Sequence, residues 1–273
     1  MRKDNKGKVI LAGAGPGDPD LITLKAADWI KKADVIIADR LVSDEIISRH
    51  ASPEAQVLHV GKQGGHDAST PQDLINDLMV DYARAGKLVV RLKGGDVSFF
   101  SQAAHELGRL VSEGLPYEIV PGVTAASGAA AYAGIPLTAR DYASSVRFMT
   151  CYSQAMIEDI DWHELAKTKD TLVFYMSAEK ILEIVDRLIE SCASPEIHVA
   201  VIEQASTPNQ KVYRANLFDF RAKLGNITFN TPSIFIVGRV VALHEQFCWQ
   251  ENNNKPGDYF SPLNAKPELI ARA

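Results

Sequence analysis

The chain has 273 residues, 46% of them apolar and 23% charged, with 29 Lys and Arg against 34 Asp and Glu, a formal net charge of −5. That composition excludes a disordered or fibrous chain, and the acidic balance excludes a nucleic-acid surface, which rests on clustered basic side chains. The length fits one large domain or two modest ones, and three distant cysteines, Cys151, Cys192 and Cys248, give no disulfide framework and point to a reducing, cytoplasmic setting.

The charged start is followed by only a short apolar run, Val9 to Ala12, too little for a secretory leader. That run, from Lys8, reads as the first strand. Asp18-Pro19 offers an N-cap and a first-turn proline, and Ile22, Ala26, Trp29, Ile30 and Ala33 follow at helical spacing. Strands are predicted at Val35–Ala38, Val57–Val60, Leu88–Leu92 and Tyr117–Val120. Helices are predicted after Thr70-Pro71, over Ala103–Ser112, and over the small residues Thr124–Ala133. The 21 uncharged residues 119–139 contain Pro121 and Pro136 and many Gly, Ala, Ser and Thr, short of the apolarity a membrane span needs.

The pattern breaks around Pro136–Ser145, which sets the expected domains at 7–139 and 146–250. The second half offers strands near Val146–Tyr152, Thr171–Met176, His198–Glu203, Val212–Ala215 and Ile234–Val237, with a helix over Ala178–Glu190. The tail, 251–273, is rich in Asn and Pro, suiting a mobile end or a surface strap.

Alternation of strand and helix in the first half indicates a mostly parallel sheet, which binds ligands at the carboxyl ends of its strands. Those ends are Gly13-Ala-Gly-Pro-Gly-Asp18, Asp39-Arg40, Gly61-Lys62, Gly94-Gly95-Asp96 and Pro121-Gly122-Val-Thr124. The first run nearly matches a dinucleotide fingerprint, but its third glycine position is Asp18, a carboxylate that repels pyrophosphate. Glycine turns with acidic neighbours suit a cationic or neutral ligand better than a phosphate. S-adenosylmethionine, with a sulfonium, an ammonium and a ribose, meets that demand. No histidine spacing suggests a metal site.

These motifs occur together and in register with a known family. Gly13-Ala-Gly-Pro-Gly-Asp-Pro-Asp-Leu-Ile-Thr-Leu-Lys25, Asp39-Arg-Leu-Val-Ser43, Val60-Gly-Lys62, Val90-Arg-Leu-Lys-Gly-Gly-Asp96, Val120-Pro-Gly-Val-Thr-Ala-Ala-Ser-Gly128 and Tyr132-Ala-Gly-Ile-Pro-Leu-Thr138 resemble the uroporphyrinogen-III C-methyltransferases, within the tetrapyrrole methylases. The resemblance covers roughly residues 7–250. It implies two α/β domains with an S-adenosylmethionine cleft between them, usually in a homodimer. It also implies methylation of uroporphyrinogen III at C2 and C7 to precorrin-2, on the sirohaem and cobalamin branch. By the same resemblance, Pro16, Gly94, Gly95, Asp96, Phe99, Thr124, Ala125, Met176 and Ala205 line the cofactor. Asp39 accepts a proton and Lys62 donates one, while Arg40, Gln102 and Arg140 meet the substrate.

A polycarboxylate substrate calls for local cations, and Arg91, Lys93 and Arg147 join Arg40, Lys62 and Arg140 as candidates. Duller readings compete: Asp39 as a turn cap, Lys62 as a surface lysine, Met176 as core, the small-residue helix as close packing. One departure stands out. Where the family has an arginine after its Gly-Gly-Asp turn, this chain has Gln102. Two alternatives follow: a methylase of another precorrin, or a cofactor-binding paralogue with reduced or no activity.

Overall fold

A computed structural model describes residues 7–61, 70–252 and 257–260, and the backbone of 268–270. The described residues divide into two compact units, one spanning 7–125 and taking in the chain from 260, the other 126–259. The division falls at the start of the small-residue helix, ahead of the junction read near residue 140.

The first unit is built on β1 (Lys8–Gly13), α1 (Leu24–Lys32), β2 (Val35–Asp39), α2 (Asp44–His50), β3 (Gln56–Val60), α3 (Gln72–Arg84), β4 (Leu88–Lys93), α4 (Ala103–Ser112) and β5 (Tyr117–Val120). Its sheet has the order β11-β3-β2-β4-β1-β5, where β11 is Glu268–Ile270. All pairings are parallel except β11, which runs antiparallel to β3. Strand alternation sends even residues such as Ile10, Ile36, Val90 and Leu92 into one core with Ile30 and Ile46. Odd residues such as Leu11, Ile37 and Val89 enter another with Ile75, Met79 and Leu110. Helices α1 and α2 therefore cover one face, and α3 and α4 the other, as parallel sheets require.

Thr23, not Asp18, caps α1: its hydroxyl accepts the Ala26 N–H at 3.2 Å, while Asp18 caps a preceding single turn through the Asp20 N–H. The proline after Asp18 favours that short turn over a full helix.

On β5, Glu118 accepts from Lys8 Nζ at 2.6 Å and Trp29 Nε1 at 3.3 Å, and pairs with Lys25 Nζ at 2.7 Å. Lys25 first, then Lys8, hold its pKa down from 4.5 to about 2. A carboxyl lowered on folding contributes stability that is present above its unfolded value and lost as pH falls through the folded one. The thermal midpoint advantage of the wild type over Glu118→Gln is therefore expected above pH 5 and to shrink between pH 4.5 and 2. Equal pH slopes for the two proteins would contradict this.

The second unit continues with α5 (Ala125–Tyr132), β6 (Val146–Thr150), α6 (Gln154–Asp159), α7 (Trp162–Lys167), β7 (Thr171–Tyr175), α8 (Ile181–Glu190), β8 (His198–Glu203), β9 (Lys211–Asn216), α9 (Phe220–Leu224), β10 (Ser233–Gly238) and α10 (His244–Phe247). Its sheet runs β6-β7-β10-β8-β9, parallel only between β6 and β7. One face packs Leu172, Phe174, Val201 and Phe235 against Ile184 and Leu188 of α8 and Phe220 of α9.

The tail acts as a strap where it is described. Asn252 pairs with the edge strand β9, its Oδ1 accepting from Val212 N at 2.7 Å and its Nδ2 donating to Val212 O at 3.0 Å. Gly257 O accepts from Asn209, and Tyr259 N donates to the buried Gln204 side chain at 2.6 Å. Among the described residues no helix is long and apolar enough to cross a membrane. The uncharged stretch 119–139 instead supplies the last two residues of β5 and the eight-residue α5.

Candidate active site

Three glycine turns meet at the carboxyl edge of the first sheet. Gly15 and Gly95 exchange both backbone hydrogen bonds, N to O at 3.1 and 2.7 Å. A Cβ on Gly13 would lie 2.6 Å from Gly95 O and 2.7 Å from Gly122 Cα, so the three turns touch backbone to backbone and only glycine fits. Asp96 fixes the junction: one carboxylate oxygen accepts from Ser98 N and the other from Gly122 N, both at 2.8 Å. Pro16, Gly94, Gly95, Asp96, Thr124 and Ala125 all lie on these adjoining turns at the ends of β1, β4 and β5. Phe99 follows on the exposed loop after Asp96.

Beside this junction lies a buried ionic network. Residues 35, 37 and 39 of β2 share a face with 89, 91 and 93 of β4, and Ile37 sits opposite Arg91. Arg91 (side chain 2% exposed) donates through Nε to Glu106 Oε1 at 3.0 Å, through Nη1 to the carbonyls of Ile37 and Leu92, and through Nη2 to Asp39. Lys93 Nζ reaches both Glu106 oxygens at 3.0 and 2.9 Å and stands 4.0 Å from Asp39 Oδ2. Glu106, on α4, is wholly buried, whereas Asp39 is 28% exposed and forms the open end of the network. Burial opposes the Arg91 charge, but Asp39 and Glu106 outweigh it and hold that guanidinium above its ordinary pKa. Burial first, then the Arg91 charge, pull the Lys93 ammonium below its own. Two cations and two anions balance, which such burial requires.

A family description of tetrapyrrole (corrin/porphyrin) methylases matches residues 8–220. The chain belongs to the tetrapyrrole methylases. It is 45% identical over 244 residues to the siroheme synthase of Acinetobacter baylyi, covering 89% of this chain and 53% of that protein. Siroheme synthase 3 of Aeromonas hydrophila is likewise 45% identical over 245 residues, 89% of this chain and 51% of that protein. The chain thus spans about half the length of the curated relatives it matches. Among solved structures, uroporphyrin-III C-methyltransferase from Thermus thermophilus in complex with S-adenosylhomocysteine is similar at a TM-score of 0.72 and 34% identity, over 87% of this chain and 100% of that one. A cobalt precorrin-4 methyltransferase is similar at a TM-score of 0.76 and 30% identity, covering 86% of this chain and 95% of that one.

In this tetrapyrrole methylase, several expectations need correction. Arg91 and Lys93 are not available to a substrate carboxylate, because the buried network consumes their donors. Arg147, by contrast, is partly exposed, in surface ion pairs with Asp170 at 2.5 Å and Glu164 at 2.7 Å. The Asp39 side chain does not cap the turn that follows, which is closed by Val42 N on the Asp39 backbone carbonyl at 3.0 Å; its carboxylate accepts from Arg91, and Ser43 caps α2, accepting the Glu45 N–H at 3.3 Å. Met176 is not core, since its side chain is 51% exposed on a backbone with φ +55. Ala205 is buried between Gln204 and Ser206, both also left-handed. As β7 and β8 both run against β10, Met176 and Ala205 follow strands ending at the same edge of the second sheet.

Arg40 is half-buried directly after Asp39. Gln102 is exposed at the N-cap of α4 with φ +57 and no side-chain cap. Arg140 is exposed on an open groove with Tyr142, Lys169 and Arg239, in the second unit. Lys62 lies outside the described residues.

Sequence reading missed Glu106. Two signals pointed to it: the period-2 parity of Arg91 and Lys93, which puts both cations on one face of a buried strand, and the i,i+4 spacing of Glu106 with core Leu110.

Proposed function

We propose that this chain methylates uroporphyrinogen III at C2 and C7 to precorrin-2, using S-adenosylmethionine, on the sirohaem and cobalamin branch. The carrying observation is the Asp39 carboxylate, held by Arg91 at the open end of a buried network beside the glycine junction. The junction fits the cofactor: its glycine turns bring backbone donors and acceptors close, and Asp96 ties the turns together by accepting from Ser98 N and Gly122 N. When bound, S-adenosylmethionine supplies an electrophilic methyl group. Asp39 is placed to take the proton released once the tetrapyrrole carbon is methylated, and Lys62 is assigned by resemblance as the proton donor. Pro16, Gly94, Gly95, Asp96, Phe99, Thr124, Ala125, Met176 and Ala205 are proposed as cofactor contacts. Arg40, Gln102 and Arg140 are proposed as substrate contacts. A cytoplasmic homodimer completes the reading.

The test is anaerobic incubation with uroporphyrinogen III and S-adenosylmethionine. A product heavier by two methyl groups supports it. Tight S-adenosylhomocysteine binding with no transfer at any enzyme level would favour a cofactor-binding paralogue, a reading that the uncharged Gln102 motivates. Gln102→Arg, which adds a two-pronged cation at an exposed position, is expected to raise kcat/KM about tenfold, chiefly through KM. An unchanged kcat/KM would remove residue 102 from the substrate site.

A further inference from the structure

We infer that Gln204 and Asn209 are positioning residues through which the late segment 257–259 holds the loop after β8 in the form that offers Ala205 to S-adenosylmethionine. This rests on the reading of Ala205 as a cofactor contact. Ala205 sits between Gln204 at φ +44 and Ser206 at φ +61. Left-handed backbone is costly for a residue with a Cβ, so two such residues in one short loop must be held there by their neighbours. Part of the hold is local to the second unit. Gln204 N donates to Pro232 O at 2.8 Å, and Thr207 donates back to Gln204 O through N at 3.2 Å and Oγ1 at 2.7 Å. Ser206 N donates to Gln210 Oε1 at 2.8 Å, and Gln210 Nε2 donates to Tyr132 O at 3.3 Å.

The rest of the hold comes from the tail. Tyr259 N donates to Gln204 Oε1 at 2.6 Å, and Asn209 Nδ2 donates to Gly257 O at 2.7 Å. The tail thus grips the loop near both of its ends. The ladder between β8 and β10 is complete without these contacts, ending at Glu203 opposite Ser233, so what they fix is the loop. Gln204 is 2% exposed, and a buried amide oxygen that loses its donor keeps the cost of having left water. Relief comes from turning the Gln204 backbone, and Ala205 turns with it.

The experiment uses the whole chain and three readouts. These are S-adenosylhomocysteine affinity by calorimetry, backbone hydrogen exchange of residues 204–207 without cofactor, and kcat against KM for S-adenosylmethionine. Gln204→Met keeps the side-chain length and loses the acceptor oxygen. It is expected to weaken S-adenosylhomocysteine about tenfold, raise KM to match with kcat kept, and speed exchange at Ala205 and Ser206. Asn209→Ala, at a half-buried position, is expected to act in the same direction by about threefold, and it remains informative if Gln204→Met does not fold. Asn252→Ala frees the tail from β9 but not from the loop. It is expected to lower the thermal midpoint and leave affinity and loop exchange at wild-type values.

Unmoved loop exchange in Gln204→Met and Asn209→Ala, or an equal loss of affinity in Asn252→Ala, would overturn the inference. Failure of the underlying reading looks different: the loop exchanges faster in both variants while S-adenosylhomocysteine binds as tightly as to the wild type, which removes Ala205 from the cofactor site.

Discussion

Asp39→Asn is expected to lower methyl transfer by about a hundredfold to ten-thousandfold, the range a general base supplies, while S-adenosylhomocysteine binds as tightly as to the wild type. The argument is geometric. Asparagine keeps the shape and an oxygen acceptor for Arg91 Nη2, so the strand end and the glycine junction stay in place. What it loses is the capacity to take a proton. The expected split, kcat lost and cofactor affinity kept, separates this role from a structural one. The variant will also be less stable, since Arg91 and Lys93 keep only Glu106 as a counter-charge, but Asp39 is partly exposed and water replaces some of the lost interaction. Unchanged turnover in a folded Asp39→Asn protein would take the residue out of the chemistry.

The second large effect is expected at Gly122. An added Cβ there would collide with Gly95 O and lie 2.8 Å from Gly13 Cα, all backbone atoms that cannot swing aside. Either β5 or the turn after β4 must move, which breaks the Asp96–Gly122 hydrogen bond and the Gly15–Gly95 exchange. Gly122→Ala is expected to destabilise by about 3 kcal/mol and to weaken S-adenosylhomocysteine binding at least about tenfold, read by denaturant unfolding and calorimetry. Gly108→Ala is the matched control. It sits within α4 with nothing near its would-be Cβ, and helix propensity there favours alanine by up to about 1 kcal/mol. Equal effects at both positions would mean that the junction is looser than its contacts indicate.

Much of this was readable from residue order alone. Strands β5 and β8 and helix α4 fall where apolar spacing and flanking glycines place them, because each is a strongly patterned segment between clear breakers. The short helices α2, α6, α7, α9 and α10, of four to seven residues, were not legible. Two turns or fewer carry too little period to stand out from a loop. The antiparallel run through β10, β8 and β9 was also hidden, since alternation marks a strand but not its direction. In the site, the glycine turns and Asp39 were visible as strand-end residues. The fate of Arg91 and Lys93 was not, because a cation near a strand end looks the same whether it faces a ligand or a glutamate one helix away. Only the register Ile37–Arg91 and the inward face of α4 distinguish the two.

The strap and strand late in the chain bear on how the protein is made. One edge of the first sheet is covered by residues 268–270, and one edge of the second by Asn252. A ribosome adds roughly 5–20 residues per second, so β3 is complete on the order of ten seconds or more before its covering strand exists. Throughout that interval β3 offers unpaired N–H and C=O groups, the kind of template on which nascent chains join one another. The order of synthesis therefore leaves this fold with a late-sealed seam, and chaperone dependence at elevated expression is the natural place for it to show.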